Sequence, residues 1–233
     1  MAIGKPAQQA PAGEPTGRRQ PLNRQRVLSA ALAYADRHGL AGLTMRRLGT
    51  ELGVEGMSLY KHVADKDALL DGIVELLWAE VPAGPAPDAG WRQALRNFAD
   101  GLYRVFGRHP IVAPLIATRN FVNIEVLRRY QAYLELLRQT GFDRRRGLDA
   151  IGAVVGQGVG YGLLALRYTD PAPQTAEPES NLQRIRRITR TLPADVPDPL
   201  VELAVDLTSE CDTDRCFAIS IDALLAGLAP GPA

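Results

Sequence analysis

A chain of 233 residues is long enough for one large domain, or for one small and one medium domain, with a substantial buried core. A composition that is 46% hydrophobic and 23% charged is that of an ordinary water-soluble globular protein and excludes wholesale disorder. The net charge of +1 is segregated: residues 1–66 hold ten Lys and Arg against five Asp and Glu, a net +5, and residues 67–233 hold 17 against 21, a net −4. A positive head on a mildly acidic body is the pattern of a protein whose head alone meets phosphate.

In chain order, residues 1–20 are rich in Pro, Gly, Ala and Gln and lack an apolar run, so they read as a disordered arm and not as a signal peptide. Its Arg18 and Arg19, with Arg24 and Arg26, form a basic arm that suits an adjacent minor groove or a solvated tail equally well. A first helix is expected over about 24–38, with Val27, Ala31 and Tyr34 on one face and Gly39 after its end. Thr44 then stands as N-cap to a short helix, MRRLGTEL, which Gly53 closes. A second short helix is expected over about 56–63, and Asp65 caps a longer one carrying Leu69, Leu70, Ile73, Val74 and Leu77. Two short helices joined by a glycine turn define a helix-turn-helix over 21–66, with Leu48, Leu52, Val54, Leu59 and Val63 as its core.

Beyond a Pro-rich linker at 81–90, with Asp88 as the expected next N-cap, the remaining stripes are helical and nothing alternates with the period of a strand. One runs Trp91, Leu95, Phe98, Leu102, Val105, Phe106; another Val126, Leu127, Tyr130, Leu134, Leu137, closed by Gly141; the last Phe217, Ile221, Leu224, Leu225, Leu228 before Pro230. Residues 169–180 read as a polar loop. The uncharged run 150–166 is shorter than the roughly 20 residues a bilayer requires and holds Gln157 and five glycines, so it reads as a buried helix and no membrane partner is expected. The fold class is therefore all-α: a three-helix head and a larger helical body over 67–228.

The segment GLAGLTMRRLGTELGVEGMSLYKHVADKDALLDGI at 39–73 closely resembles the DNA-binding domain of the TetR family, with LTMRRL, ELGV, SLYKHV and DKDALL in the family's order and spacing. The rest, including FAISIDALLAGL at 217–228, more loosely resembles the effector-binding and dimerising domain of the tetracycline-repressor branch. The resemblance implies a cytoplasmic homodimer that binds palindromic double-stranded operator DNA and leaves it when a small-molecule effector binds. It also implies phosphate contacts from Tyr60 and His62.

The side chains give the same reading of the head. In a helix-turn-helix the second helix enters the major groove, where Met57 suits a thymine methyl, Ser58 a donor or acceptor, and Lys61 guanine O6 and N7. Lys66, at the start of the following helix, and Thr44 and Arg46, from the preceding one, suit the phosphate backbone. Gly56 and Met57 are a weak start for a recognition helix, because glycine is a poor helix former.

In the body, Phe98, Leu102, Val126 and Tyr130 are candidate apolar walls of an effector pocket, with His109, Gln157 and Tyr161 as its polar groups. Gly152, Gly156 and Gly160 lie four apart on one ridge, and with Phe217, Ile221, Leu224 and Leu228 they are the candidate dimer contact, from helices at about 147–167 and 214–228. The sequence holds three histidines and no HExxH, GxSxG or Walker motif, so no catalytic site, metal site or cofactor is expected. The cysteines, Cys211 and Cys216, read as reduced thiols with acidic neighbours. The alternative is a helix-turn-helix regulator controlled by a protein partner or by cysteine redox state.

Overall fold

The computed structural model describes residues 21–119, 122–166, 190, 193, 195–209 and 212–230. The arm at 1–20, the loop at 169–180 and Cys211 lie outside the described residues. Ten α-helices and one 3₁₀ turn occur among the described residues, without a strand: α1 Arg24–His38, the turn Leu40–Gly42, α2 Met45–Leu52, α3 Gly56–Leu59, α4 Lys66–Ala79, α5 Trp91–Arg108, α6 Leu115–Thr118, α7 Ile124–Gln139, α8 Arg144–Ala165, α9 Asp198–Ser209 and α10 Thr213–Gly227.

Short polar side chains set where the helices start. Asn23, Thr44, Asp65, Asn123, Asp143 and Asp212 each accept from the backbone N–H three residues on, at 2.7 to 3.2 Å. Each such cap contributes about 1 kcal/mol. Thr44 and Asp65 thus act as the sequence suggests, but Asp88 does not: α5 begins after Gly90, with no side-chain cap. The α7 stripe also differs at one position, since Leu127 is 52% exposed and Val126, Tyr133 and Leu137 face the core.

The head consists of α1 to α3, but its floor is α4. Leu28 of α1 lies so close to Gly72 of α4 that a Cβ there would sit 2.4 Å from Leu28 Cδ2. Leu69 and Ile73, also on α4, are fully buried. Arg24 pairs with Glu75 at 2.9 Å along the same seam. A boundary drawn at residue 66 therefore cuts the head from part of its own core. Packing continues on the other side of α4, where the Trp78 ring lies 6.5 Å from Phe98 of α5, itself stacked on Tyr133 of α7 at 4.5 Å.

The body is built around α5 and α8, with α7 and α10 packed beside them. α8 carries two glycine ridges of opposite sense. Gly158 and Gly162 face α5, where a Cβ would meet Leu102 Cβ at 2.9 Å and Phe106 Cγ at 2.5 Å, so only hydrogen fits. Gly152, Gly156 and Gly160 have no atom within 4 Å in the subunit. α8 is the one described helix long and apolar enough to cross a membrane, and it packs on α5, α7 and α10.

Arginines hold the body's ends. Arg92, lying over the Trp91 ring, donates to the carbonyls of Leu225 and Leu228 at 3.3 Å, closing the C-terminus of α10 on α5. Arg129 of α7, 3% exposed, donates twice to the Val81 carbonyl, at 3.0 and 3.2 Å, and to Glu125 Oε2 at 2.7 Å. It thereby fixes the chain where it leaves α4.

Substitution distinguishes a glycine that is packed from one that is not. Gly162→Ala is expected to cost about 1–3 kcal/mol of stability through overpacking against Phe106. Gly107→Ala, on α5 with open space around it, should be neutral or slightly stabilising. Chemical denaturation of the two variants beside the parent checks this.

Candidate functional site

The helix-turn-helix is set by a turn and by a close approach. Gly53 takes the left-handed conformation, φ 68°, that ends α2, and its N–H bonds back to Thr50 at 3.2 Å. α2 and α3 then meet through glycine: a Cβ on Gly49 would lie 2.8 Å from Gly56 N and 2.9 Å from Val54 O, and one on Gly56 would lie 3.1 Å from Met45 O. Gly56, weak as a helix start, is what lets α3 lie directly on α2. Leu48, Leu59 and Val63 are buried beneath this contact, as expected, while Leu52 and Val54 are half-buried at its edge.

α3 is shorter than the sequence suggests. It spans Gly56–Leu59 instead of about 56–63, and Tyr60 to His62 continue as a turn, with the N–H groups of His62 and Val63 both bonded to Leu59 O. The reason is local: the chain must turn again to place Asp65 at the start of α4, where its carboxylate takes the Ala68 N–H at 2.7 Å.

The expected DNA-contacting side chains are exposed or half-buried along the stretch from the N-cap of α2 to the start of α4. Met57, 74% exposed, and Tyr60, 45% exposed, are large apolar groups left in water at a surface where burial would be favourable. Lys61 and Lys66 are exposed, and Ser58 and His62 are half-buried. Thr44 spends its hydroxyl capping Arg47, at 3.2 Å, which leaves its methyl and the α2 N-terminus at the surface. Arg46 is exposed beside it on the rim of a cleft of about 930 Å³ whose walls include Tyr34, Thr44, Arg47 and Thr50. Arg47 itself is turned back to the Gly42 carbonyl at 3.1 Å, and Arg37 pairs with Glu51 at 2.6 Å. Exposed donors, apolar groups and cations thus stand on α2, α3 and the start of α4.

The seven expected effector residues do not converge. Phe98, Leu102 and Val126 are buried in the core. Gln157 accepts from Ser220 at 2.7 Å and Tyr161 meets the Phe217 ring edge-on at 5.8 Å, both on the seam of α8 with α10. Tyr130 lines a groove of about 820 Å³ between α7 and α8, with Leu127, Leu134, Phe142 and Leu148 as apolar wall and Gln131, Glu135, Arg138 and Arg144 at its edge. Burial pushes the Tyr130 phenol up to about 12, so it stays a neutral donor. His109 belongs to neither place. It ends α5 at the contact with the head, its Nδ1 2.6 Å from Asp36 Oδ2 and its Nε2 2.9 Å from Glu80 Oε1. Both ring nitrogens are already committed, which removes it from a pocket.

Half of the expected dimer face is redirected as well. Phe217, 5% exposed, and Ile221, fully buried, close this subunit's own core, with Phe217 stacked on Tyr103 at 4.5 Å. Leu224 and Leu228 are half-buried on the same inner side. The outward face of α10 carries Cys216, Ile219, Ala223 and Ala226 instead, with Ile219 59% exposed. On α9, Leu200, Leu203 and Leu207 are 51 to 58% exposed.

Sequence reasoning missed Arg119, Arg129 and the His109 partners. Arg119, at the end of α6, reaches Asp71 at 2.6 Å and Asp67 at 2.9 Å on the first turns of α4, and its guanidinium is held above its ordinary range chiefly by the Asp71 hydrogen bond. Nothing in one sequence pairs residues so far apart.

An all-helical chain with an exposed helix-turn-helix on one end and a larger helical body on the other defines a DNA-binding regulator. Comparison with known proteins places it further. Residues 27–73 match the family model "Bacterial regulatory proteins, tetR family", and residues 84–230 match "Tetracyclin repressor-like, C-terminal domain". The chain belongs to the TetR family of transcriptional regulators.

It is 30% identical over 210 residues to the tetracycline repressor protein class D of Escherichia coli, covering 88% of both chains. It is 34% identical over 146 residues to the transcriptional repressor DrrR1 of Streptomyces coeruleorubidus, a match that takes in 62% of this chain and 54% of that repressor. Its fold is similar to that of the Streptomyces coelicolor TetR family protein ActR in complex with actinorhodin, with a TM-score of 0.70, 28% identity, and 90% of this chain and 96% of that one covered.

The glycine contact between α2 and α3 carries a prediction. Gly49→Ala should push α3 off α2, lowering affinity for every DNA sequence and destabilising the head by about 1–3 kcal/mol. Hydrogen exchange of head amides together with a DNA titration checks both effects.

Proposed function

We infer that this protein is a cytoplasmic, ligand-responsive transcriptional repressor that binds a palindromic operator as a homodimer and is released by a small molecule. The observation that carries this reading is the pairing of an exposed helix-turn-helix with a body similar to that of a family member solved with a small molecule bound. That similarity favours a small-molecule effector over control by a protein partner or by cysteine redox state.

At the operator, Met57, Ser58 and Lys61 read base edges while Thr44, Arg46, Tyr60, His62 and Lys66 hold phosphates. One helix-turn-helix covers few base pairs, so two heads at a fixed spacing are required, and a two-fold dimer supplies them. The dimer face is the outer side of α8, with Gly152, Gly156 and Gly160, joined by the outer side of α10 at Ile219 and Ala223. Its support is the open space over those glycines and the exposed apolar Ile219 on α10.

The effector site is the groove of about 820 Å³ at Tyr130, within the roughly 300–1,000 Å³ range of drug-sized sites. Its apolar wall suits a ring system and its polar edge suits the substituents. The core residues Phe98, Leu102 and Val126 stand outside its lining. Gln157 and Tyr161 are the second candidate polar pair, reached only if α8 and α10 part. An effector favouring one spacing of the heads lowers operator affinity by its differential affinity for that state.

Selection of bound fragments from genomic DNA should return a palindrome. Against it, Lys61→Ala should relax base preference at one position per half-site, whereas Lys66→Ala should weaken all sequences alike and reduce the salt slope by about one. Both variants binding like the parent would displace the recognition surface.

Gly156→Arg and Ile219→Glu should each give a helical monomer that no longer binds the operator, read by sedimentation beside circular dichroism. A parent protein that sediments as a monomer at micromolar concentration would overturn the dimer. For the effector, actinorhodin and tetracycline are the first probes of a preformed complex. Tyr130→Ala should blunt release and Gln157→Ala should leave it intact, the reverse result moving the site to the seam of α8 with α10.

A further inference from the structure

The joint between head and body is built on one imidazole. His109 stands at the C-terminal end of α5 and is half-buried, with a side-chain exposure of 16%. Asp36 approaches Nδ1 from α1, in the head, and Glu80 approaches Nε2 from the end of α4. Arg108, the preceding residue on α5, pairs with the other oxygen of Glu80 at 2.8 Å. From the turn that follows, residues 110–114 offer no titratable side chain, and the N–H groups of Val112 and Ala113 bond to the His109 carbonyl at 3.1 and 2.8 Å. The joint thus holds two carboxylates against one guanidinium and one imidazole. Charge balances only when the imidazole is protonated.

Hydrogen-bond chemistry makes the same demand independently. A carboxylate is an acceptor, and a neutral imidazole has one N–H and one lone pair. With Asp36 and Glu80 both ionised, their oxygens, within 2.9 Å of the two ring nitrogens, are both satisfied only when both nitrogens carry hydrogen. Asp36 has no alternative among the described residues, since its Oδ1 is buried without a hydrogen-bond partner. Removing the proton sets a lone pair against a half-buried carboxylate, and one of the two hydrogen bonds has to open.

We propose that His109 is a positioning residue whose imidazolium clamps the DNA-binding head to the body, so that operator affinity is linked to a proton taken up at this joint. The clamp ties α1 of the head to the C-terminal end of α5, and a fixed head costs less ordering when DNA binds. Across the pH window in which imidazole side chains change charge, loss of that proton opens the clamp and affinity falls. This inference rests on the operator-binding reading above.

Its test has an arm that does not involve DNA. With three histidines in the chain, the ring nitrogens of the full-length protein can be resolved by nitrogen NMR. His109 is expected to show both nitrogens protonated at the acid end of the window and to give up the hydrogen bond to Asp36 as the pH is raised. A His109 ring that carries a single proton throughout would overturn the proposal whatever the DNA result.

In the second arm, affinity for the selected DNA fragment is followed across the same window. The parent should show a fall in affinity on the order of tenfold greater than that of His109→Gln, which keeps His62. Asp36→Asn should retain affinity at the alkaline end, because the amide can donate to the Nδ1 lone pair of a neutral imidazole. Circular dichroism of each variant separates an open clamp from an unfolded chain. A pH dependence in His109→Gln equal to that of the parent overturns the clamp even if operator binding itself is intact. Absence of any selected fragment overturns the operator reading and leaves the NMR arm to decide the joint.

Discussion

The structure depends on α4 being a wall of two units at once. Its Gly72 admits Leu28 of the head, its Trp78 lies against Phe98 of the body, and both its ends are tied by charge: Asp67 and Asp71 to Arg119, and Glu80, just past the helix, to His109 and Arg108. A rigid helix shared in this way cannot shift on one side without moving the other. Interiors packed at crystal density switch between discrete arrangements and do not deform smoothly. A change in the body is therefore felt at the DNA surface without any special channel between them.

The same economy explains where glycine is used. Between α2 and α3, and between α5 and α8, glycine removes a side chain so that two helices can touch at the backbone. Each of these residues disfavours its own helix by about 1 kcal/mol relative to alanine, and the packing it allows offsets that cost. The outer ridge of α8 has the same composition but no partner within the subunit, so its cost is not offset in the single chain. That asymmetry, more than the glycine count, is what supports reading the outer face as an interface.

Charge is distributed by the same division of labour. Arg46, Lys61 and Lys66 stand exposed on the head, whereas Arg24, Arg37 and Arg47 are engaged with partners in the chain. The +5 of residues 1–66 thus overstates what the DNA meets. In the body three arginines are structural: Arg92 and Arg129 bond to carbonyls, and Arg119 to α4. Buried guanidinium is tolerated at Arg129 because its donors meet the Val81 carbonyl, the Glu125 carbonyl and the Glu125 carboxylate.

The helical class, the starts of α1, α2 and α4, the turn at Gly53 and the exposed face of the head are legible in the sequence because each rests on local chemistry. A cap reaches three residues, a helical stripe repeats every three or four, and the motif at 39–73 is contiguous. The inner face of the last helix is misjudged from sequence for the converse reason. A stripe such as Phe217, Ile221 and Leu225 says that a helix buries one side but not whether the cover comes from its own subunit or another. His109, Asp36 and Glu80 lie up to 73 positions apart, and only the fold brings them together. What the sequence determined by itself was eight of the ten described helices, α6 and α9 excepted, and the starts of α1, α2 and α4. What the tertiary structure alone decided was which charges share a joint and which apolar faces remain uncovered, because both depend on distances that periodicity does not encode.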